Sequence, residues 1–416
     1  MKIKINKEIK NILLERLLVT LGIILVIRLG TFLPVPGINH SDLAFYIQSH
    51  SVTKSLVSTF SGNDTFVIGL FILNIFPYIN ASILVQLILG FSPKLAKLQK
   101  EGDLEGRRSI NRLTRLITLI WAIIQSVGLT FYLKQILFDW NYNLAFEIVV
   151  WLTTGAMIVL WLSELITDYG LGNGASLLIY INIISNLPNL GKTIINDNLP
   201  ILSELEIVLL LFASLYGIVF LQEGVRIIPL ISSKQLNQSS VQDSVANDNY
   251  LPLRFNQAGV MPIILTSAVL VVPNYINNLG LLPKINLPIN LESLSFTYWI
   301  GYFALILLFS SFYSTIVLNP KDISDQLQKM AVTIPGIRPG IQTTFYLKQV
   351  MKRVTLVGAT MLATLTSIPN FIESTLSITS LNGLSTTSLL ILAGVVLDLI
   401  REVKNIYYSN VYNNMY

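Results

Sequence analysis

Apolar residues in this chain come as long runs rather than in alternation with polar ones. Ten such runs recur, near 17–36, 66–91, 113–133, 144–166, 174–191, 204–222, 259–277, 297–319, 354–372 and 385–400. Their lengths match the roughly 17 to 25 residues that cross a bilayer as α-helix. The pattern therefore predicts an all-α polytopic membrane protein with ten transmembrane helices, and an even number returns both termini to one side. The runs divide near Pro200 into an N-terminal half, 1–200, and a C-terminal half, 201–416, of five spans each. Because five is odd, halves related as repeats would run in opposite directions, which places a pathway at their interface.

Breaks in the apolar pattern carry the information. The second run passes through NIFPYINASILVQL, where Pro77 withdraws a backbone donor and Asn74 and Asn80 bring amides to membrane depth. Two readings stand: a Pro-kinked helix whose Asn side chains bond to a neighbour, or a helix lining a water-filled cavity. The preceding stretch, KSLVSTFSGNDTFVIG, is too short and polar to span and reads as an external loop or a re-entrant piece. GLGNGAS at 170–176 is Gly-rich but lacks the Lys of a phosphate loop, so it reads as the turn that starts a helix. In TIPGIRPGIQT, 333–343, the dipeptides Pro335-Gly336 and Pro339-Gly340 are turn formers and predict a compact protruding tip that holds Arg338. Either that arginine is a solvated turn residue or it is a docking contact.

Composition agrees with the runs. Of 416 residues, 52% are hydrophobic and 12% charged, with mean hydropathy +0.63, whereas soluble domains carry about a quarter charged residues. No loop exceeds about 36 residues, too few for a soluble domain of ordinary size. Charge then orients the chain. Of 28 Lys and Arg, 5 lie up to Arg16, 7 in 92–115, 3 in 223–258, 6 in 320–353 and 2 in the tail from Arg401, so 23 share one side. The opposite loops hold only Lys54, Lys134, Lys192 and Lys284, and Arg28 lies within the first span. By the positive-inside rule both termini, the basic loops and the Arg338 tip face the cytoplasm or its organellar equivalent. The first run follows a basic N-terminus, but no small-residue cleavage site follows it, so it reads as a retained span.

The chemistry expected of an enzyme is missing. The chain has no cysteine, and its two histidines, His40 and His50, share one external loop without partner ligands. No acidic dyad, nucleophile elbow or Ser-His-Asp set is found, so neither catalysis nor a cofactor is expected. Glu147, Glu164 and Asp398 lie near span ends, and the dearth of buried carboxylates argues against an ion-coupled secondary transporter for a small solute, the main alternative. The loop KLAKLQKEGDLEGRRSINRLTR, 94–115, reads either as a topogenic segment facing anionic headgroups or as a docking surface.

Taken in order, IRLGTFLPVPGI, FSG, PYINASI, KEGDLEGRR, ELITDYGLGNGAS, LPLRFNQAGVMP, VLNPKDISDQLQK, IPGIRPG and TLVGA resemble the SecY family, channel subunits of the bacterial and plastid Sec translocase. The resemblance implies a protein-conducting channel whose halves clamp around a central pore, with a plug at about 52–65. It implies a pore ring of Ile75, Ile79, Ile179, Ile264 and Ile391, and a lateral gate at Pro77, Asn80 and Val272. Arg338, with Arg107 and Arg108, would contact a SecA motor ATPase or a ribosome. A SecE-like and a SecG-like subunit, signal-bearing polypeptides and membrane lipid complete the implied partners. The family's basic pair in the preceding cytosolic loop is absent, since KQLNQSSVQDS offers only Lys234. The Ile- and Asn-rich, cysteine-free composition points to an AT-rich genome, hence a plastid thylakoid membrane, with a bacterial plasma membrane as the alternative.

Overall fold

A computed structural model describes residues 7–36, 69–91, 104–133, 141–196, 201–232, 250–257, 259, 261–263, 265–266, 296–376 and 386–413. Within them lie helices α1 (Lys7–Phe32), α2 (Phe76–Phe91), α3 (Leu104–Leu133), α4 (Tyr142–Tyr169), α5 (Gly174–Asn196) and α6 (Ile201–Glu223). They continue with α7 (Phe296–Val317), α8 (Pro320–Lys329), α9 (Ile341–Leu376) and α10 (Thr386–Asn413). Nine of these overlap the apolar runs; the seventh run, 259–277, lies mostly outside the described residues. By length and composition alone, 108–131 and 142–169 suffice to cross a membrane, whereas 76–89, 174–185 and 300–314 are shorter apolar stretches.

Contacts group the chain into two units, 1–196 with 395–416, and 197–394. In the first, α4 packs on α1, α3 and α5, and α3 packs on α2. Ile148, Leu152, Val159 and Ile166 of α4 are fully buried, at spacings of about one or two helical turns that mark its inward face. At the end of α3 facing the charged loop, Arg115 donates two hydrogen bonds of 2.8 Å from Nε and Nη2 to the Glu164 carboxylate on α4. Glu164, read from sequence only as a span-end acid, thus forms a bidentate pair across two helices. The turn before α5 is as expected: Gly172 has φ +82°, and the Asn173 side chain accepts from the Ala175 amide at 3.1 Å, capping α5.

The second unit holds two cores. Ile218 and Leu221 of α6, Ile306 of α7, Leu362 of α9 and Leu390 of α10 form one. The other is built from loops. Strands β1 (Val225–Pro229) and β3 (Tyr250–Arg254) pair antiparallel, and β2 (Ile231–Ser232) pairs with β4 (Val332–Thr333). Ile228, Leu253, Leu327 of α8, Ile334, and Leu347, Val350, Met351 and Val354 of α9 close around each other. Neither loop is long enough for a domain by itself, but together with the start of α9 they build one small cored platform. α9 has 36 residues, about 54 Å at 1.5 Å per residue, well beyond a hydrocarbon thickness of about 30 Å. Its first dozen or so residues therefore belong to the platform rather than to the 354–372 span.

Candidate pore-lining and docking sites

The expected pore residues begin at α2, and there the structure differs from the sequence reading. Both readings of the second run carry a helix through NIFPYINASILVQL, yet helix starts only at Phe76 and the residues from 70 to 75 are a compact turn. Pro77 sits in the first helical turn, where an amide has no intrahelical acceptor, so its missing N–H costs nothing and produces no kink. Asn74 is the hinge between turn and helix. Its φ is +48°, it is almost completely buried, and its Oδ1 accepts from the Ile75 amide at 2.8 Å. The Ile75 carbonyl then accepts from the Ile79 amide at 3.1 Å, the first bond of the helix. The Asn74 side-chain oxygen is therefore used locally, by its own backbone.

This turn lies against protein on two sides. The Leu70 amide donates to the Leu33 carbonyl at 2.9 Å, beside a bridge between Pro34 and Gly69. On α4, Gly155 abuts the Leu70 carbonyl so closely that any Cβ would overlap that oxygen. Irregular backbone at membrane depth is tolerated when its polar groups are buried in protein and paired, and here the Leu70, Ile72, Asn74 and Ile75 amides all donate to acceptors of the protein. Ile75 and Ile79, four residues apart and so on one helical face, are both buried, as is Pro77, while Asn80 is half-buried.

Ile179 on α5 is half-buried, and two residues on the Ile181 carbonyl accepts from Arg28 Nη2 of α1 at 2.6 Å. The arginine that the sequence left stranded in the first span is thus tied to a backbone oxygen. Ile391 on α10 is half-buried. Ile264, Val272 and the plug segment 52–65 lie outside the described residues. On α3 Arg108 is exposed; the Arg107 side chain lies outside what is described.

The tip after β4 is more ordered than a solvated loop requires. Gly336 and Gly340 have φ +76° and +100°, the conformation for which glycine suits these turns. The Ile337 amide donates to the Ile334 carbonyl at 3.1 Å, Ile334 is buried in the platform core, and Ile337 packs on it. Thr343 Oγ1 donates to the Arg338 carbonyl at 2.9 Å, and Ser324 Oγ of α8 donates to the Gly340 carbonyl at 3.0 Å. Every backbone anchor points inward and the Arg338 side chain is left exposed. Two of the quoted motifs also meet: Gly358 of TLVGA lets α9 touch the Phe255 backbone of LPLRFNQAGVMP, beside a cluster in which Ser314 Oγ lies 2.8 Å from Thr355 Oγ1 and 2.9 Å from Gln257 Oε1.

Comparison with known proteins agrees with this arrangement. The SecY family model matches residues 69–400. The protein translocase subunit SecY of Trieres chinensis is 62% identical over 98% of both chains. That of Guillardia theta is 43% identical over 99% of both. A solved structure described as a study of how the SecY plug domain stabilises the closed channel aligns with TM-score 0.65 at 17% identity, covering 98% of this chain and 94% of its own. The chain belongs to the SecY family of protein translocase subunits, integral multi-pass membrane channels.

Proposed function

We propose that this chain works as the central channel subunit of a Sec translocase through the parts identified above, moving unfolded polypeptides across the membrane and releasing hydrophobic segments sideways into it. Family membership replaces the small-solute transporter alternative. The observation that carries the mechanism is the start of α2, where Ile75 and Ile79 present two aliphatic side chains one turn apart directly after a buried, internally bonded turn. In this reading they join Ile179, Ile264 and Ile391 in a dry gasket. Such a ring blocks ions through their desolvation cost, binds no passing side chain tightly, and opens around a moving chain.

The halves 1–200 and 201–416 clamp around that pore, and segment 52–65 plugs it. Pro77, Asn80 and Val272 form the lateral gate, where a polar seam opens more readily than a continuous aliphatic one. Arg338, supported by Arg107 and Arg108, contacts a SecA motor ATPase or a ribosome, since a guanidinium fork matches either a carboxylate or a phosphate. A SecE-like and a SecG-like subunit accompany the chain. Both termini face the stroma of a plastid, in the thylakoid membrane, or the cytoplasm of a bacterium.

A stalled nascent chain carrying a photoreactive side chain at mid-span tests the assignment. Adducts should map to Ile75, Ile79, Ile179, Ile264 and Ile391; adducts confined to other positions refute the ring. The gate has its own test, because the chain contains no cysteine. Oxidation of the Asn80→Cys, Val272→Cys double variant should lock translocation and reduction restore it, as a disulfide needs Cα atoms within about 7 Å.

A further inference from the structure

A groove between the N-terminal half of α1 and the end of α4 takes no part in the pore, gate or tip. It encloses about 420 Å³ and runs along α1 from Ile12 to Ile23, against Leu165, Asp168 and Tyr169 of α4. Its two ends differ in chemistry. Glu15, Arg16, Asp168 and Tyr169 lie just outside the 17–36 and 144–166 spans, on the side that the positive-inside rule assigns to the cytoplasm or stroma. Val19, Ile23 and Leu165 lie within those spans, Ile23 being about 10 Å beyond Arg16 along the helix. Trp161, one turn before Leu165 on the same face of α4, is exposed and continues the apolar path toward lipid.

The charges at the polar end are unpaired. Among the described residues, no hydrogen bond or ion pair joins the side chains of Glu15, Arg16 and Asp168 to one another or to a neighbour. Arg115 and Glu164, also near helix ends, show the contrast: where opposite charges on two helices reach each other, they close at 2.8 Å. The groove thus holds both signs of charge above an apolar floor, with room between them.

We propose that this groove seats the headgroup of a zwitterionic lipid, its ammonium at Glu15, Asp168 and Tyr169 and its anionic group on Arg16. The inference stands on charge complementarity and on no part of the pore or gate assignment. Carboxylates and an aromatic ring suit a lipid cation, a guanidinium suits a phosphate or carboxylate, and the acyl chains follow Val19, Ile23 and Leu165. An anionic lipid meets two acids for one base here, while the basic loops on the same side attract it elsewhere. A neutral sugar headgroup would displace water from three charges and compensate none of them.

The test uses the whole membrane complex in nanodiscs containing a trace of phosphatidylethanolamine with a diazirine on one acyl chain. Adducts should fall on α1 near 19–23 and on α4 near 161–165. Excess unlabelled phosphatidylethanolamine or phosphatidylcholine should reduce them about 10-fold, whereas phosphatidylglycerol or galactosyl diacylglycerol should leave them within about twofold. Arg16→Gln, and separately the pair Glu15→Gln, Asp168→Asn, should each reduce labelling about 10-fold. The competition series needs no variant, so it holds whatever the substitutions do to folding. Equal competition by all four lipids would reduce the groove to ordinary lipid contact and overturn the inference. Preferential competition by phosphatidylglycerol or by the galactosyl lipid overturns it in favour of an anionic or a sugar headgroup. Adducts formed on the chain alone but lost once the small subunits are bound overturn it in favour of a partner helix.

Discussion

Residues 69–75 and 334–340 are both turns that lead into a long helix, and they solve that task in opposite ways. The first is buried: its backbone groups bond to Leu33 and to the Asn74 side chain, and Gly155 brings α4 into contact with it. The second is half in water: glycines at φ +76° and +100° make its bends, two isoleucines hold its base, and its arginine points outward. Where water is absent the chain must supply each partner itself, so every residue of the turn is committed to structure. Where water is present only the base need be fixed, and the tip is free to carry function.

That contrast makes Gly155→Leu the most damaging change on a stability scale. A side chain at 155 meets the Leu70 carbonyl, a backbone atom that cannot rotate away, so we expect a loss of about 3 kcal/mol or more and little accumulated protein. Thermal unfolding in detergent measures it. An unaltered melting temperature would mean that the buried turn has slack, and the contrast with the exposed tip would fall.

Ile334→Ala comes next. Removing a buried side chain from the platform core should cost about 2–4 kcal/mol locally. Hydrogen exchange should then rise across β4, the tip and the first turns of α9, with no change in α2 to α4. Exchange spreading evenly over both regions would show that the platform has no core of its own.

How much of this the sequence carried depends on the range of the contacts. Nine of the ten apolar runs correspond to described helices, because a span needs only local hydropathy. The GLGNGAS turn is legible for the same reason: its partners lie within a few residues, although the cap that Asn173 supplies is seen only in the structure. That the helix starts at Phe76 is not visible in the run, because a proline inside an apolar run looks the same whether the helix has begun upstream or begins at the proline. The deciding group, Asn74 bending back to the Ile75 amide at positive φ, leaves no periodic trace. The platform was invisible for a different reason. Its core joins 228, 253, 327, 334 and 347, which no window spans, and each loop taken singly reads as polar connection.

Arg338→Glu should have the smallest effect on stability and the plainest effect on function. The Arg338 side chain is exposed, and the tip is held through the Arg338 carbonyl, the Gly340 carbonyl and the two isoleucines rather than through the guanidinium. Replacing an exposed side chain away from caps and cores changes stability by about 0.5 kcal/mol or less, so abundance and melting temperature should match the parent. Reversing the charge, however, turns an attractive contact with carboxylate or phosphate into a repulsive one, and driven translocation should fall to background in inverted vesicles. Lys at the same position keeps the charge but loses the planar fork, so Arg338→Lys should restore part of the rate. Full activity of the Glu variant would make Arg338 a solvated turn residue after all. Restoration by Lys to the parental rate would leave charge alone as the requirement, removing the need for bidentate geometry.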